Sequence, residues 1–461
     1  MAKAPVEKNQ YIDVTFEDLT HEGDGVAKVD GYPLFIPYGL PGEKAKVKVV
    51  KTRKNFGFGK LIELYEESEH RTTPPCDIFF QCGGCQLQHM TYERQLEMKQ
   101  KQVKDVMRKI AHLPDVPVHP TIGMENPWDY RNKVSIPVGK RDGKVITGFY
   151  QKRSHNIIDM DSCPVQHPQN DKLIQEMANL FEELHIEPYD ENTHRGVIRH
   201  VIVRTGQHTN EMMVILVTNT KELPKKDALI EKILAIDPDV KSIIHNVNTK
   251  KTNVIMGPES NTIWGSDTIT DRIDDLEFQI GAHSFYQINP LQTEKLYAKT
   301  LEYAQLSGNE TVIDAYCGIG TISLFLAQHA KKVYGVEIVR QAIDNAKDNA
   351  KHNRLTNTEF YVGQAEKVMP WWHAQGLRPD VIVVDPPRKG CDEELLDAMV
   401  GMEPDRIVYV SCNPSTLARD LKILDEAGYE TKQIQPVDMF PQSSHVECVA
   451  LIEGINRLSD F

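Results

Sequence analysis

No apolar run in this chain is long enough to cross a bilayer, and Met1-Ala2-Lys3-Ala4-Pro5 leads into polar sequence without a signal-like stretch. A cytoplasmic protein with no membrane partner is expected. Cysteine is scarce, 8 in 461 residues, and unevenly spread, which excludes a secreted disulfide scaffold. Positive charge is short overall, with a formal net charge of -13, which argues weakly against nucleic acid. Net charge is an average, however, and binding is local. Lys44 to Lys60 holds seven basic residues and no acid, and Arg131 to Arg153 holds seven more against Asp142 alone. Two such patches in an acidic chain favour a polyanionic partner over plain solvated lysines. The length exceeds one ordinary core, so two or three domains are expected, in a chain working as a monomer.

Residues 5–66 read as a small β-barrel. Tyr11-Ile-Asp-Val-Thr-Phe16 and Ala45-Lys-Val-Lys-Val49 alternate in and out, with Gly23, Gly25, Gly31, Gly39 and Gly42 punctuating the turns. Basic residues interleave with aromatics in Lys51-Thr-Arg-Lys-Asn-Phe-Gly-Phe-Gly-Lys60, which suits phosphate contacts plus base stacking. The stretch resembles a TRAM domain, an RNA-binding, OB-like barrel appended to RNA-modifying enzymes.

Residues 67–284 form the expected central domain, of α+β type. It opens on Cys76-x5-Cys82-Gly-Gly-Cys85, with a lone Cys163 before Pro164 much later. Four thiolates suit zinc or an iron–sulfur cluster. Zinc ribbons supply two close pairs, whereas a distant fourth cysteine followed by proline is a common iron–sulfur arrangement. The radical spacing C-x3-C-x2-C is absent. Tyr92 to Leu113, free of Pro and Gly, predicts one long helix, ended by Pro114 and able to pack on the catalytic domain. Beyond it, Lys133–Val138, Val197–Arg204, Met212–Thr218 and Ile243–Val247 predict strands. Arg131, Lys133, Arg153, Arg195 and Arg199 are candidate RNA contacts, each as readily ordinary surface charge.

From residue 285 to 461 the pattern turns doubly wound α/β. Thr311-Val-Ile-Asp-Ala-Tyr-Cys-Gly-Ile-Gly-Thr321 reads as strand, Gly-rich turn and helix, and Glu337 closes the next strand about twenty residues on. A lone GxG is weak. With that acid, able to take ribose hydroxyls, and in the form D-x-x-C-G-x-G, it is typical of Rossmann-like methyltransferases using S-adenosylmethionine. Cys317 inside it reads as core packing. A further strand ends in Asp385-Pro-Pro-Arg388, a rigid loop over the same pocket. Adenine methyltransferases carry a stacking aromatic after the prolines, and Arg388 stands there instead.

The apolar strand Ile407–Val410 runs into Ser411-Cys412-Asn413-Pro414, so Cys412 falls at a strand's carboxyl end, where open α/β sheets bind ligands. By itself it is equally well a buried structural thiol. Glu447 opens a final apolar run, an awkward place for a charge unless it is used or paired. Methylating C5 of uracil needs this set, because that carbon is nucleophilic only after a thiolate adds to C6, and a base must then take the C5 proton. Cys412, Glu447 and the Gly318 turn supply it.

Asp-Pro-Pro-Arg, Ser-Cys-Asn-Pro, Ser-His-Val-Glu, the four cysteines and the barrel together resemble the bacterial 23S rRNA uracil-5 methyltransferases over essentially the whole length. The resemblance implies Cys412 as nucleophile, Glu447 as base, and S-adenosylmethionine on Gln287, Tyr316, Glu337 and Asp385. It implies a [4Fe–4S] cluster on Cys76, Cys82, Cys85 and Cys163. The partner would be single-stranded or refolded 23S rRNA presenting a flipped uridine. Rival readings are a tRNA uracil-5 methyltransferase, expected to lack barrel and cysteines, an iron–sulfur oxidoreductase acting on RNA, and a noncatalytic RNA-binding assembly factor.

Overall fold

The computed structural model describes residues 4–455, so the expected end of the catalytic domain at residue 461 lies outside the described residues. Five strands, Tyr11–Leu19, Gly25–Val29, Tyr32–Ile36, Lys44–Thr52 and Gly57–Glu66, close into a barrel. Alternation decides its two surfaces: Ala45, Val47 and Val49 are buried, while Lys44, Lys46 and Lys48 point outward. Gly39 is required by close approach, because a Cβ there would meet the Phe16 ring at 2.3 Å. Buried Glu43 pairs with Arg71 at 2.6 Å and fastens the barrel to the chain beyond it.

A mixed seven-stranded sheet follows. Its order is Glu259–Gly265, Val240–Val247, Met212–Thr218, Ile198–Thr205, Lys133–Arg141, Lys144–Tyr150, Ile157–Asp159. Met212–Thr218 reads as an unbroken apolar run because both of its faces are covered. Met212, Val214 and Leu216 pack under the helix Pro168–Glu183. Met213, Ile215 and Val217 join the core of the C-terminal domain. That core also takes in the hairpin Thr268–Ile273/Leu276–Gly281, so the expected domain boundary at residue 285 falls inside continuous packing.

The last sheet has the order Thr358–Val362, Lys332–Glu337, Thr311–Ala315, Val381–Val384, Arg406–Ser411, Glu447–Gly454, Tyr429–Val437, with Glu447–Gly454 antiparallel to its neighbours. Its strand residues alternate between two cores: Val381 and Val383 face one, Ile382 and Val384 the other. The second core includes Val103, Met107 and Ala111, from a helix distant in sequence from most of the strands it covers. That helix is α-helical over Tyr92–Val106 and then widens to a π-turn, Met107–Ala111, before His112 takes a left-handed conformation. The expected extension to Leu113 stops there, where the Leu113 N–H bonds back to the Met107 carbonyl.

Candidate active site

The sheet register assembles the site. Ala315 lies beside both Val336 and Val384, and Val384 lies beside Tyr409. The residues one step beyond these pairs, Glu337, Tyr316 and Asp385, therefore form a row along the carboxyl edge. Ser411 opposes Cys448 in an antiparallel pair, so the next residues outward, Cys412 and Glu447, stand opposite one another. The row crosses the point where the chain, having run outward through two strands, returns to Val381–Val384. This is the switch-point crevice in which open sheets take their ligands.

At one end of the row the chain is shaped for a nucleotide. Tyr316, Gly318 and Gly320 have φ of +64°, +54° and +84°, and nothing lies within 4 Å of the place a Gly318 Cβ would occupy. A left-handed tyrosine is uncommon and is held here by the turn. Glu337 accepts hydrogen bonds from the N–H groups of Gly318 (3.3 Å) and Val339 (3.0 Å), joining the acid to the turn. Ile338 and Val339 are uncovered beside it, 61% and 54% exposed, an apolar platform that the sequence reading missed. Gln287 lies off the row, buried in the loop before the helix Pro290–Ala304, with Phe285 exposed close by in the chain. Cys317 is buried in the core, as read from sequence.

At the other end acids and a thiol crowd together. Burial pushes Glu447 up to about 8, reinforced by Asp385 and opposed by Arg388. Burial likewise pushes Asp385 up to about 7. The Cys412 thiol is pushed up to about 11 by burial, Glu447 and Asp385, again opposed by Arg388. Arg388 is thus the cation facing both groups, a part the sequence reading noted only as a missing aromatic.

Two loops are locked around this end. The Arg388 carbonyl accepts from Asn413 Nδ2 (3.1 Å) and Thr416 Oγ1 (3.2 Å), which ties the Asp-Pro-Pro-Arg loop to the cysteine loop. Asn413 also caps the helix Pro414–Glu426, accepting from the Ser415 N–H at 3.0 Å. Fully buried Asp420 accepts from the Cys391 N–H and the Tyr409 hydroxyl, and Arg419 brackets it. An acid on an amphipathic helix reads as solvated, so only the folded packing reveals Asp420.

Cys76, Cys82, Cys85 and Cys163 line a single cavity of about 40 Å³, walled by Phe79, Phe149, Met160 and Val165 and edged by Arg131. Among the described residues no three or more His, Cys, Asp or Glu approach closely enough to hold one metal ion. A polynuclear cluster sets its thiolates further apart than a single ion does, and an apolar pocket with four sulfurs and an adjacent guanidinium suits one. The donor set fits the group. Among the basic candidates, Arg153 and Arg195 are exposed. Arg199 corrects the expectation: it is 5% exposed, bonded to the carbonyls of Asn248, Lys250 and Thr252, and stacked on Tyr189, so it braces the fold. Arg131 is turned toward the cysteines, and burial lowers Lys133 to about 8.

A switch-point crevice with a Gly-rich turn, an acid closing the neighbouring strand and this strand order defines a Rossmann-like methyltransferase using S-adenosylmethionine, here carrying an N-terminal barrel. The chain belongs to the tRNA (uracil-5-)-methyltransferase family, whose model matches residues 91–455, and a TRAM-domain model matches residues 5–62. It is an S-adenosylmethionine-dependent RNA uracil-5 methyltransferase. It is 60% identical over 451 residues to an uncharacterized RNA methyltransferase of Halalkalibacterium halodurans, covering 98% of each chain. A counterpart in Staphylococcus aureus is 52% identical over 447 residues, covering 97% of this chain and 98% of the other. Among solved structures it is similar to the Pyrococcus abyssi tRNA (uracil-54, C5)-methyltransferase in complex with S-adenosyl-L-homocysteine. That match has a TM-score of 0.78 and 30% identity, covering 96% of this chain and 100% of that one. No helix among the described residues is long and apolar enough to cross a membrane.

Proposed function

We propose that this protein methylates C5 of a uridine in 23S rRNA, in the cytoplasm, with Cys412 as nucleophile and Glu447 as general base. The observation that carries the reading is the register that sets Cys412 against Glu447 at the end of the row Glu337, Tyr316 and Asp385. The Cys412 thiolate adds to C6, and the electrons of the C5–C6 double bond move onto C5 and O4. S-adenosylmethionine, when bound on Gln287, Tyr316, Glu337 and Asp385, supplies the methyl group that C5 takes. Glu447 then accepts the C5 proton, the freed pair re-forms the double bond, and the thiolate leaves C6. Arg388, facing both groups, favours their ionised forms. The uridine has to leave its stack to enter this crevice.

A second reading, a tRNA uridine, is favoured by the Pyrococcus abyssi match. The expectation that tRNA enzymes lack the barrel does not extend to that enzyme, because alignment over 96% of this chain takes in the barrel strands. Methylation of 23S rRNA fragments and of tRNA, assayed side by side, separates the two. Incorporation into the 23S fragments alone is expected, and incorporation into tRNA alone would overturn the rRNA assignment.

Cys76, Cys82, Cys85 and Cys163 would hold a [4Fe–4S] cluster, whose part here is to tie a loop-rich region together. Anaerobically purified protein is expected to be brown and oxygen-sensitive, with iron and sulfide at ~4 each per chain, the stoichiometry of such a cluster. Stoichiometric zinc without visible absorbance would refute it.

A further inference from the structure

Glu447 is reached through a strap, Asp438 to Val446, that is held largely by polar groups from the N-terminal part of the chain. Lys99 and Asp438 form an ion pair at 2.6 Å with both side chains 0% exposed, and Lys99 Nζ also donates to the Phe440 carbonyl at 3.2 Å. One turn earlier on the same helix, Gln95 makes a reciprocal amide pair with Gln442. Its Nε2 donates to Gln442 Oε1 and its Oε1 accepts from the Gln442 N–H, both at 3.0 Å. The Gln442 carbonyl in turn accepts from the N–H groups of Gln86 and Leu87, the residues that follow Cys85.

The opposite end of this helix does something different. Val103 and Met107 pack into the apolar core with Leu417, Leu421 and Leu424 of the helix that starts directly after the Cys412 loop. One element thus grips both halves of the site: the helix following Cys412 through apolar contact, and the strap preceding Glu447 through buried polar bonds. The choice of bonds is informative. Replacing a buried ion pair with apolar side chains of similar volume is commonly neutral or stabilising, so stability does not explain Lys99 and Asp438. Directional bonds fix position in a way that apolar contact does not. The π-turn at Met107–Ala111 is a further departure from regular helix on the side facing Pro414–Glu426, and such turns recur at functional sites.

We infer that the helix Tyr92–Val106 is a positioning element of the reaction, and that Lys99 and Gln95 set where Glu447 stands relative to Cys412. The inference rests on the roles proposed above for those two residues. It places the four-cysteine region in the same mechanical path, because the segment leaving Cys85 bonds to the strap at Gln442.

The test separates adduct formation, which needs Cys412, from adduct release, which needs the base. Lys99→Met leaves Asp438 buried without its cation and is expected to melt lower and to work poorly. Lys99→Met combined with Asp438→Leu removes both charges. It is expected to recover most of the melting temperature lost in Lys99→Met, short of the 2.8 Å bond from the Tyr92 hydroxyl that Asp438→Leu also removes, and to form the covalent RNA complex at a near wild-type rate. It is expected to release methylated RNA about 10- to 100-fold more slowly, the scale of a small misplacement at a reacting centre. Recovery of both stability and release in the double variant would show a structural tie only and overturn the inference, as would equal slowing of formation and release. Glu447→Gln is run beside it. If Glu447→Gln releases normally, the base assignment falls. If it stalls while the double variant releases normally, only the positioning role falls.

Discussion

Replacing Cys412 with alanine is expected to abolish methylation, with a loss on the order of 10⁴-fold or more, and to leave no covalent RNA complex. The mechanism needs a thiolate at C6 before C5 can accept a methyl group, and among the described residues the other cysteines of this domain cannot substitute. Cys317, Cys391 and Cys448 are buried. The same variant should keep its affinity for S-adenosylmethionine, since Glu337 and the Gly318 turn lie on other strands of the sheet. Burial and the two neighbouring acids hold the resting thiol at about 11, so at neutral pH it is protonated in the free protein. Alkylation of Cys412 by iodoacetamide should accordingly be slow near pH 7 and accelerate as pH rises. Removing the opposing cation with Arg388→Ala should slow it further. Methylation surviving in Cys412→Ala would end the nucleophile assignment.

How much of this was legible in sequence depended on how locally each feature is encoded. The strand ends were readable because each is a short apolar run stopped by its own punctuation, Gly318 and Gly320 in one case, Asp385-Pro-Pro and Asn413-Pro414 in the others. Glu447 stood out as a charge opening an apolar strand. The barrel lysines followed from a period of two. The long-range features carried no such mark. Lys99 sits in a helix rich in lysine, and nothing local distinguishes it from Lys101, which is half-exposed and paired with Asp105. Arg199 read as a candidate RNA contact or ordinary surface charge because three backbone carbonyls from a loop about fifty residues away are what bury it. Nothing in the local sequence around Asp420, Ile338 or Val339 marked them, because burial of the first and exposure of the other two are set by the folded packing. The packing that runs across the boundary expected at 285 went unread for a related reason. A strand buried on both faces, such as Met212–Thr218, announces two covered faces without naming what covers the second.

Glu447→Gln is expected to separate the two halves of the reaction. The amide keeps the shape of the side chain and cannot accept the C5 proton, so methylation proceeds once and the protein remains attached to RNA through Cys412. The adduct should appear as a denaturation-resistant band that requires S-adenosylmethionine and disappears when Cys412→Ala is added. Loss of a general base costs ~10²–10⁴ in rate, so release is slowed by that factor. The pH dependence identifies the same group independently. With Glu447 at about 8 in the folded protein, the base fraction and hence wild-type release climb as pH rises toward 8 and level off above it. Glu447→Gln lacks that group, so the rise toward pH 8 should disappear and leave only the contribution of Asp385, which burial sets at about 7. Stability should move the other way. The folded value lies above the ordinary 4.5, so the folded state holds the proton more tightly than the unfolded one. Folding is therefore favoured fully at low pH, and this contribution is lost as pH climbs from about 4.5 to about 8. Removing the ionisable group lifts that penalty. Glu447→Gln should melt higher than the wild type by a few degrees near pH 8 and show little difference at pH 5, followed by thermal melts across that range. A variant that releases RNA normally would show that Glu447 is not the base, and one whose melting advantage shrinks as pH rises would show that it is not the buried acid carrying this strain.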